Sequence, residues 1–207
     1  MDHPGGVDAP SVCIAIPARN EAEEIIGCLE AIAACTGAAP LGLVVFVNNS
    51  TDATARKARE WGRSAAPSGL AVTVCEEVLP AREASAGRAR ALAMARARAC
   101  LPESGLLLTT DADSRPAPGW VREMVAALAT CDLALGPIAP RPGASHARLR
   151  IYDRIEREAL ALQARILQRD GAEAHQHVSG ASLGLRASAW DRLGGLPDVP
   201  CGEDRAL

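Results

Sequence analysis

The sequence predicts an α/β fold, a Rossmann-like, mostly parallel sheet flanked by helices on both faces. Three observations predict it. Short apolar runs alternate with segments whose apolar residues recur at helical spacing. Aromatic residues are scarce, with three Trp, one Tyr and one Phe, so Leu, Ile, Val and Ala must fill the core. Polar clusters follow the apolar runs, and in sheets of this class ligands bind beyond the carboxyl ends of the strands. The 207 residues suit one compact domain. With 48% hydrophobic and 23% charged residues, the composition is that of a globular protein rather than a disordered one.

Taken in order, Val12 to Ile16 reads as a strand, followed by Pro17-Ala18-Arg19-Asn20 and a helix carrying Ile25, Ile26, Leu29, Ile32 and Ala33. Asn20 is the expected cap of that helix, with Glu23 three residues on. Leu43 to Val47 is the second strand and ends in Asn48-Asn49-Ser50-Thr51-Asp52; Ala53 to Trp61 is the next helix, capped by Thr51 or Asp52. Ala71 to Cys75, a helix from Ala84 to Cys100, and Leu106 to Thr110 continue the alternation into Asp111-Ala112-Asp113. A helix from about Gly119 to Ala129 and a strand from about Leu133 to Ile138 follow. Beyond Pro140 the pattern changes to one long helix, about His146 to Gln168, then a strand within Val178 to Arg186, a short helix to Leu193 and a Gly194-Gly195 turn.

Composition narrows the function. A net charge of -3 argues against a nucleic-acid binder. The seven Cys (13, 28, 35, 75, 100, 131 and 201) include no Cys-x-x-Cys pair, which favours reduced thiols over a disulfide framework or a zinc site. No apolar run approaches the roughly 20 residues of a membrane span, and Met1 to Pro10 has no signal-peptide core. The expected location is the cytoplasm, with peripheral membrane association through a partner left open.

The strand-end clusters at Pro17 to Glu21, Asn48 to Asp52 and Asp111 to Asp113 should converge on one cleft. Two carboxylates one residue apart at a strand end can reach one hard cation and its water shell, which suits Mn2+ or Mg2+. Taken alone, Asp111-Ala112-Asp113-Ser114 is equally a turn with capping carboxylates.

The clusters occur together, however, and in order. From Val12 through Glu21 the chain resembles family 2 of the glycosyltransferases, inverting, nucleotide-sugar-dependent enzymes of the GT-A fold, whose first strand ends in a Pro-x-x-Asn-Glu loop. The resemblance continues through Gly180, Gly194-Gly195-Leu196-Pro197-Asp198 and Gly202-Glu203-Asp204, so it spans nearly the whole chain. It implies that Pro17, Ala18, Asn20 and Glu21 line the nucleotide pocket, that Asn49 lies near the base, and that Arg90 approaches the nucleotide. It further implies that Asp111 and Ala112 face the ribose or the metal's water shell and that Asp113 is the direct metal ligand. Asp204 would be the general base for the acceptor hydroxyl, and Glu203 would orient the acceptor. His175 and His177 are weaker candidates for the acceptor side, and Trp120 and Trp190 are expected to pack in the core.

The donor so implied is a nucleotide-diphosphate-sugar, UDP-sugar favoured, and the acceptor a saccharide, lipid or small molecule. Residues 1–207 would form a single catalytic domain, with 1–140 the nucleotide-sugar half and 141–207 the acceptor half. Three departures from the family pattern stand out. Asn48-Asn49 replaces paired Asp residues, Ala91 replaces an Asn, and the chain ends three residues after Asp204. The last leads us to expect a piece of a longer enzyme, or a homo-oligomer or partner that completes the acceptor side. The competing reading is a catalytically silent nucleotide-sugar-binding module. A nucleotidyltransferase would require a Gly-rich phosphate loop after the first strand, and Pro17 to Glu21 contains no Gly.

Overall fold

The computed structural model describes residues 11–35, 40–139 and 180–196. Those up to Gly136, with 180–196, form one compact unit; 137–139, the described part of a second unit, carry no helix or strand. The unit is built on a six-stranded sheet. Its strands are β1 (Val12–Ala18), β2 (Leu41–Asn48), β3 (Leu70–Glu77), β4 (Leu106–Thr109), β5 (Leu133–Leu135) and β6 (Leu183–Arg186), in the order β3-β2-β1-β4-β6-β5. The first four are parallel, whereas β6 runs antiparallel to both β4 and β5.

Every residue of β2 is buried, as is all of β1 except Pro17, which is half-buried. This is why both strands read as unbroken apolar runs: a central parallel strand is covered on both faces. Pro17 has no N–H to give. It is tolerated because pairing with β4 ends at Ala15. Edge strand β3 instead alternates and finishes in the exposed pair Glu76 and Glu77, the charged edge that discourages further pairing.

Strand periodicity sorts the core into two layers. Val12, Ile14, Ile16, Leu43, Val45 and Val47 face Ile25, Leu29 and Ile32 of α1 (Ile25–Ala33), Ala58 and Trp61 of α2 (Thr54–Ser64), and Met124 and Leu128 of α4 (Trp120–Leu128). Cys13, Ala15, Val44 and Phe46 face α3 (Ala86–Arg98) and Trp190 of α5 (Ala187–Leu193). On α3 the covering residues Ala89, Ala93 and Ala97 are spaced four apart and small, so the helix lies close to the sheet. Trp120 and Trp190 are both buried, and the Trp120 indole N–H donates to Ser182 Oγ at 3.0 Å.

Several element ends differ from expectation. Helix α1 begins at Ile25 and is not capped by Asn20, which adopts a left-handed φ of 57° rather than the extended backbone of an N-cap. In α2 the N-cap position is Ala53, and the Asp52 carboxylate accepts from the Thr54 N–H at 3.0 Å. Helix α3 starts two residues late, behind Ser85, whose hydroxyl accepts from the Arg88 N–H. Strand β5 stops at Leu135, before Gly136-Pro137. The expected helix over 146–168 lies outside the described residues. The Gly194 turn is as read, with φ of 75° after α5.

Candidate active site

The loops after β1 and β2 are fastened to each other by hydrogen bonds. Asn20 and Asn49 each take a left-handed backbone, φ 57° and 49°, which Asn tolerates better than most residues. The Asn20 N–H donates to Ser50 Oγ at 3.0 Å, and its side-chain oxygen accepts from the Thr51 N–H at 2.8 Å. The Glu21 N–H donates to Thr54 Oγ1 at 2.8 Å and the Ala22 N–H to Asp52 Oδ2 at 3.0 Å. Hydrogen bonds from Thr54, its hydroxyl first, hold the Asp52 carboxyl below its ordinary range. Asn49 spends both ends of its amide on Leu79, donating to the carbonyl at 2.9 Å and accepting from the N–H at 3.1 Å.

Against this frame lies a cleft of about 360 Å³, within the usual range for small-molecule sites. Pro17, Ala18 and Glu21 line it from the end of β1, and Asn48 from the end of β2. Ser85 and Arg90 line it from α3, and Asp111, Ala112 and Asp113 from the turn after β4. Arg90 is only 7% exposed. It donates from Nη2 to Asp111 Oδ1 at 2.9 Å and from Nη1 to the Gly180 carbonyl at 2.8 Å. Gly180 lets the guanidinium lie against its backbone, because a Cβ there would overlap Arg90 Cζ and Nε and the guanidinium would have to shift.

The cleft is rich in carboxylates. Burial raises the Glu21 carboxyl above its ordinary range, and Asp113, Glu24, Asp52 and Asp111 raise it further. Among the described residues no three His, Cys, Asp or Glu side chains converge as a complete metal site. The donor set nevertheless fits a hard divalent cation of the Mg2+ or Mn2+ kind, which takes one or two carboxylates and completes its shell with water and phosphate oxygen. Asp113 is exposed at the mouth, and Asp111 presents to the cleft a carboxylate already oriented by Arg90.

The sequence matches the glycosyl transferase family 2 profile over residues 13–193. The chain belongs to glycosyl transferase family 2. No curated protein matches it. Among solved structures it resembles mannosyltransferase PcManGT from Pyrobaculum calidifontis, determined with GDP-Man and Mn2+, with 27% identity, 94% of this chain and 49% of that one covered, and a TM-score of 0.62. S. aureus TarS 1-349 matches at 16% identity over 94% of this chain and 52% of that one, TM-score 0.60. Glucosyl-3-phosphoglycerate synthase from Mycobacterium tuberculosis, with Mn2+, UDP and glucosyl-3-phosphoglycerate, matches at 20% identity over 90% of this chain and 63% of that one, TM-score 0.57. The fold is therefore GT-A, and the chain spans about half the length of the first of these structures.

In this family 2 chain the cleft gathers Pro17, Ala18, Glu21, Arg90, Asp111, Ala112 and Asp113, all singled out in the sequence. Asn20 and Asn49 are not among its lining; their side chains tie loops together, and Asn48, 2% exposed, faces the cleft instead. Arg19 and Ser85 also line it and were missed. Arg19 sits inside the Pro-x-x-Asn-Glu loop, so the motif already contained it; Ser85 carries no signal beyond its capping position. Glu203, Asp204, His175 and His177 lie outside the described residues. No helix among the described residues is long and apolar enough to cross a membrane.

Proposed function

We propose that the cleft binds a nucleotide-diphosphate sugar, UDP-sugar favoured, with a divalent cation at Asp113 and Asp111, and that the protein transfers the sugar with inversion to an acceptor hydroxyl. The observation that carries this reading is the meeting of Glu21, Asp111 and Asp113 in one cleft. Arg90 is the buried cation that orients Asp111. Such an excess of carboxylate repels a bare diphosphate, and a bound Mn2+ or Mg2+ would reverse that sign and stabilise the charge that develops on the leaving diphosphate. Pro17 and Ala18 offer an apolar wall beside the donor, and Asn48 a neutral donor and acceptor where a carboxylate would carry charge. The Mn2+ complexes of the Pyrobaculum and Mycobacterium structures support the metal, and the GDP and UDP ligands of those structures support the donor class.

Asp204 is proposed as the base that takes the acceptor's proton while its oxygen attacks the anomeric carbon, with Glu203 orienting the acceptor. Their support is the Gly202-Glu203-Asp204 motif in the sequence. The described cysteines, Cys13, Cys28, Cys35, Cys75, Cys100 and Cys131, are all free thiols. Transfer or hydrolysis of UDP-sugars with Mn2+, assayed on the protein, tests the proposal. Asp204→Asn should keep nucleotide binding and lose transfer; undiminished transfer in that variant overturns the base. Binding without turnover in the unaltered protein would instead make it a nucleotide-sugar-binding module.

A further inference from the structure

The acidic turn is gripped from two sides. Arg90 holds Asp111 from α3, and α1 with its leading residue Glu24 holds the segment after β4 from the other. Glu24, Gly27 and Cys28 lie on one helical face, and Cys35 follows just past the end of α1. The Cys28 thiol donates to the Asp111 carbonyl at 3.3 Å, and the Cys35 thiol to the Ala117 carbonyl at 3.1 Å. Burial pushes the Cys28 thiol up to about 12, so it remains a donor throughout the neutral range. Between these two points Arg115 donates from Nη2 to Glu24 Oε2 at 2.6 Å and from Nη1 to the Ser114 carbonyl at 2.9 Å. The guanidinium lies against Gly27, where any Cβ would fall inside Nη2, Nε and Cζ.

We propose that Arg115, seated on Gly27 and paired with Glu24, is a positioning residue for the divalent cation. It fixes the backbone from Asp111 to Arg115, so that the Asp113 carboxylate is presented in one orientation. This rests on the proposed role of Asp113 as cation ligand. A guanidinium two residues from that ligand repels a cation, so a purely electrostatic account predicts that removing it tightens metal binding. Positioning predicts the opposite sign. Gly27→Ala gives the same answer without a change of charge: its methyl displaces the guanidinium, and Ala is favoured over Gly in a helix, so α1 itself is not weakened.

The test is a titration of the unliganded protein with Mn2+, followed by electron paramagnetic resonance, on wild type, Arg115→Gln, Gly27→Ala and Asp113→Ala, with metal-free melting curves for each. Arg115→Gln and Gly27→Ala should each weaken Mn2+ about tenfold, the lower end of what outer partners of metal ligands contribute. The metal-free melting curve of Gly27→Ala should not fall. Wild-type or tighter affinity in both variants, with Asp113→Ala abolishing binding, overturns the positioning role alone. Wild-type affinity in Asp113→Ala overturns the metal reading and the positioning role with it. Should Arg115→Gln not fold, the affinity of Gly27→Ala decides.

Discussion

Two arginines hold the same acidic turn, in different ways. Arg90 reaches it from α3, with its side chain 9% exposed, and bonds Asp111 directly. Arg115 belongs to the segment itself, is one-third exposed, and bonds Glu24 on the opposite flank. A buried guanidinium has left its water and depends on its partners, so losing the pair leaves uncompensated charge. An exposed pair exchanges its partner for water at little cost. Arg90 should therefore matter to the fold and the site together, and Arg115 chiefly to the geometry of the site.

The largest expected effect comes from the buried side. Arg90→Ala should cost roughly 3 kcal/mol of stability by urea denaturation, because it removes two charge-assisted hydrogen bonds of a buried guanidinium, to the Asp111 carboxylate and to the Gly180 carbonyl. The matching Arg115→Ala should cost less than about 1 kcal/mol. Equal costs for the two would break the comparison. Gly180→Ala keeps the Arg90 residue but forces its guanidinium out of the space the new methyl takes, and should cost about 2 kcal/mol, within the range for overpacked buried sites.

The smallest effect concerns Glu21, whose neighbours in the cleft are carboxylates. The Glu21 carboxyl is raised in the folded protein, so folding favours its protonated form. That contribution is present below the unfolded-state pKa and is lost as pH rises through the folded one. Glu21→Gln should thus melt with wild type at low pH and above it once the pH passes the glutamate range. A variant that melts below wild type at neutral pH would mean that the Glu21 charge is already compensated in the metal-free protein.

Much of this arrangement could be read from residue patterns. Buried parallel strands produce the unbroken apolar runs at Val12 and Leu41, and the polar clusters after them mark where the chain turns at the strand ends. The direction of β6 was not legible, because an apolar run carries no polarity. Nor was the division of labour between Asn48 and Asn49: adjacent residues on a strand end point to opposite sides, and only the tie to Leu79 decides which one faces the cleft. Asn20 looks like a cap in a sequence, since capping and a left-handed turn draw on the same residue type.

Arg90 is the instructive case. Among the arginines of α3 it alone stands four residues before Met94 and next to Ala89, inside the apolar stripe. In the sequence alone Arg88, Arg90, Arg96 and Arg98 read equally as one solvated helix face, and only the packing of α3 against the sheet shows that Arg90 is buried. The grip of α1 on the acidic turn was out of reach, because Glu24 and Arg115 are 91 residues apart and a lone Gly in a helix has many explanations.

The central claim is that the cleft captures a nucleoside diphosphate through a cation held at Asp113. Calorimetry with UDP in the presence and absence of Mn2+, on wild type and Asp113→Ala, tests it most directly. The account predicts a binding signal for wild type with Mn2+ that disappears in excess EDTA and in the variant. Equal UDP affinity in all of these conditions would contradict it.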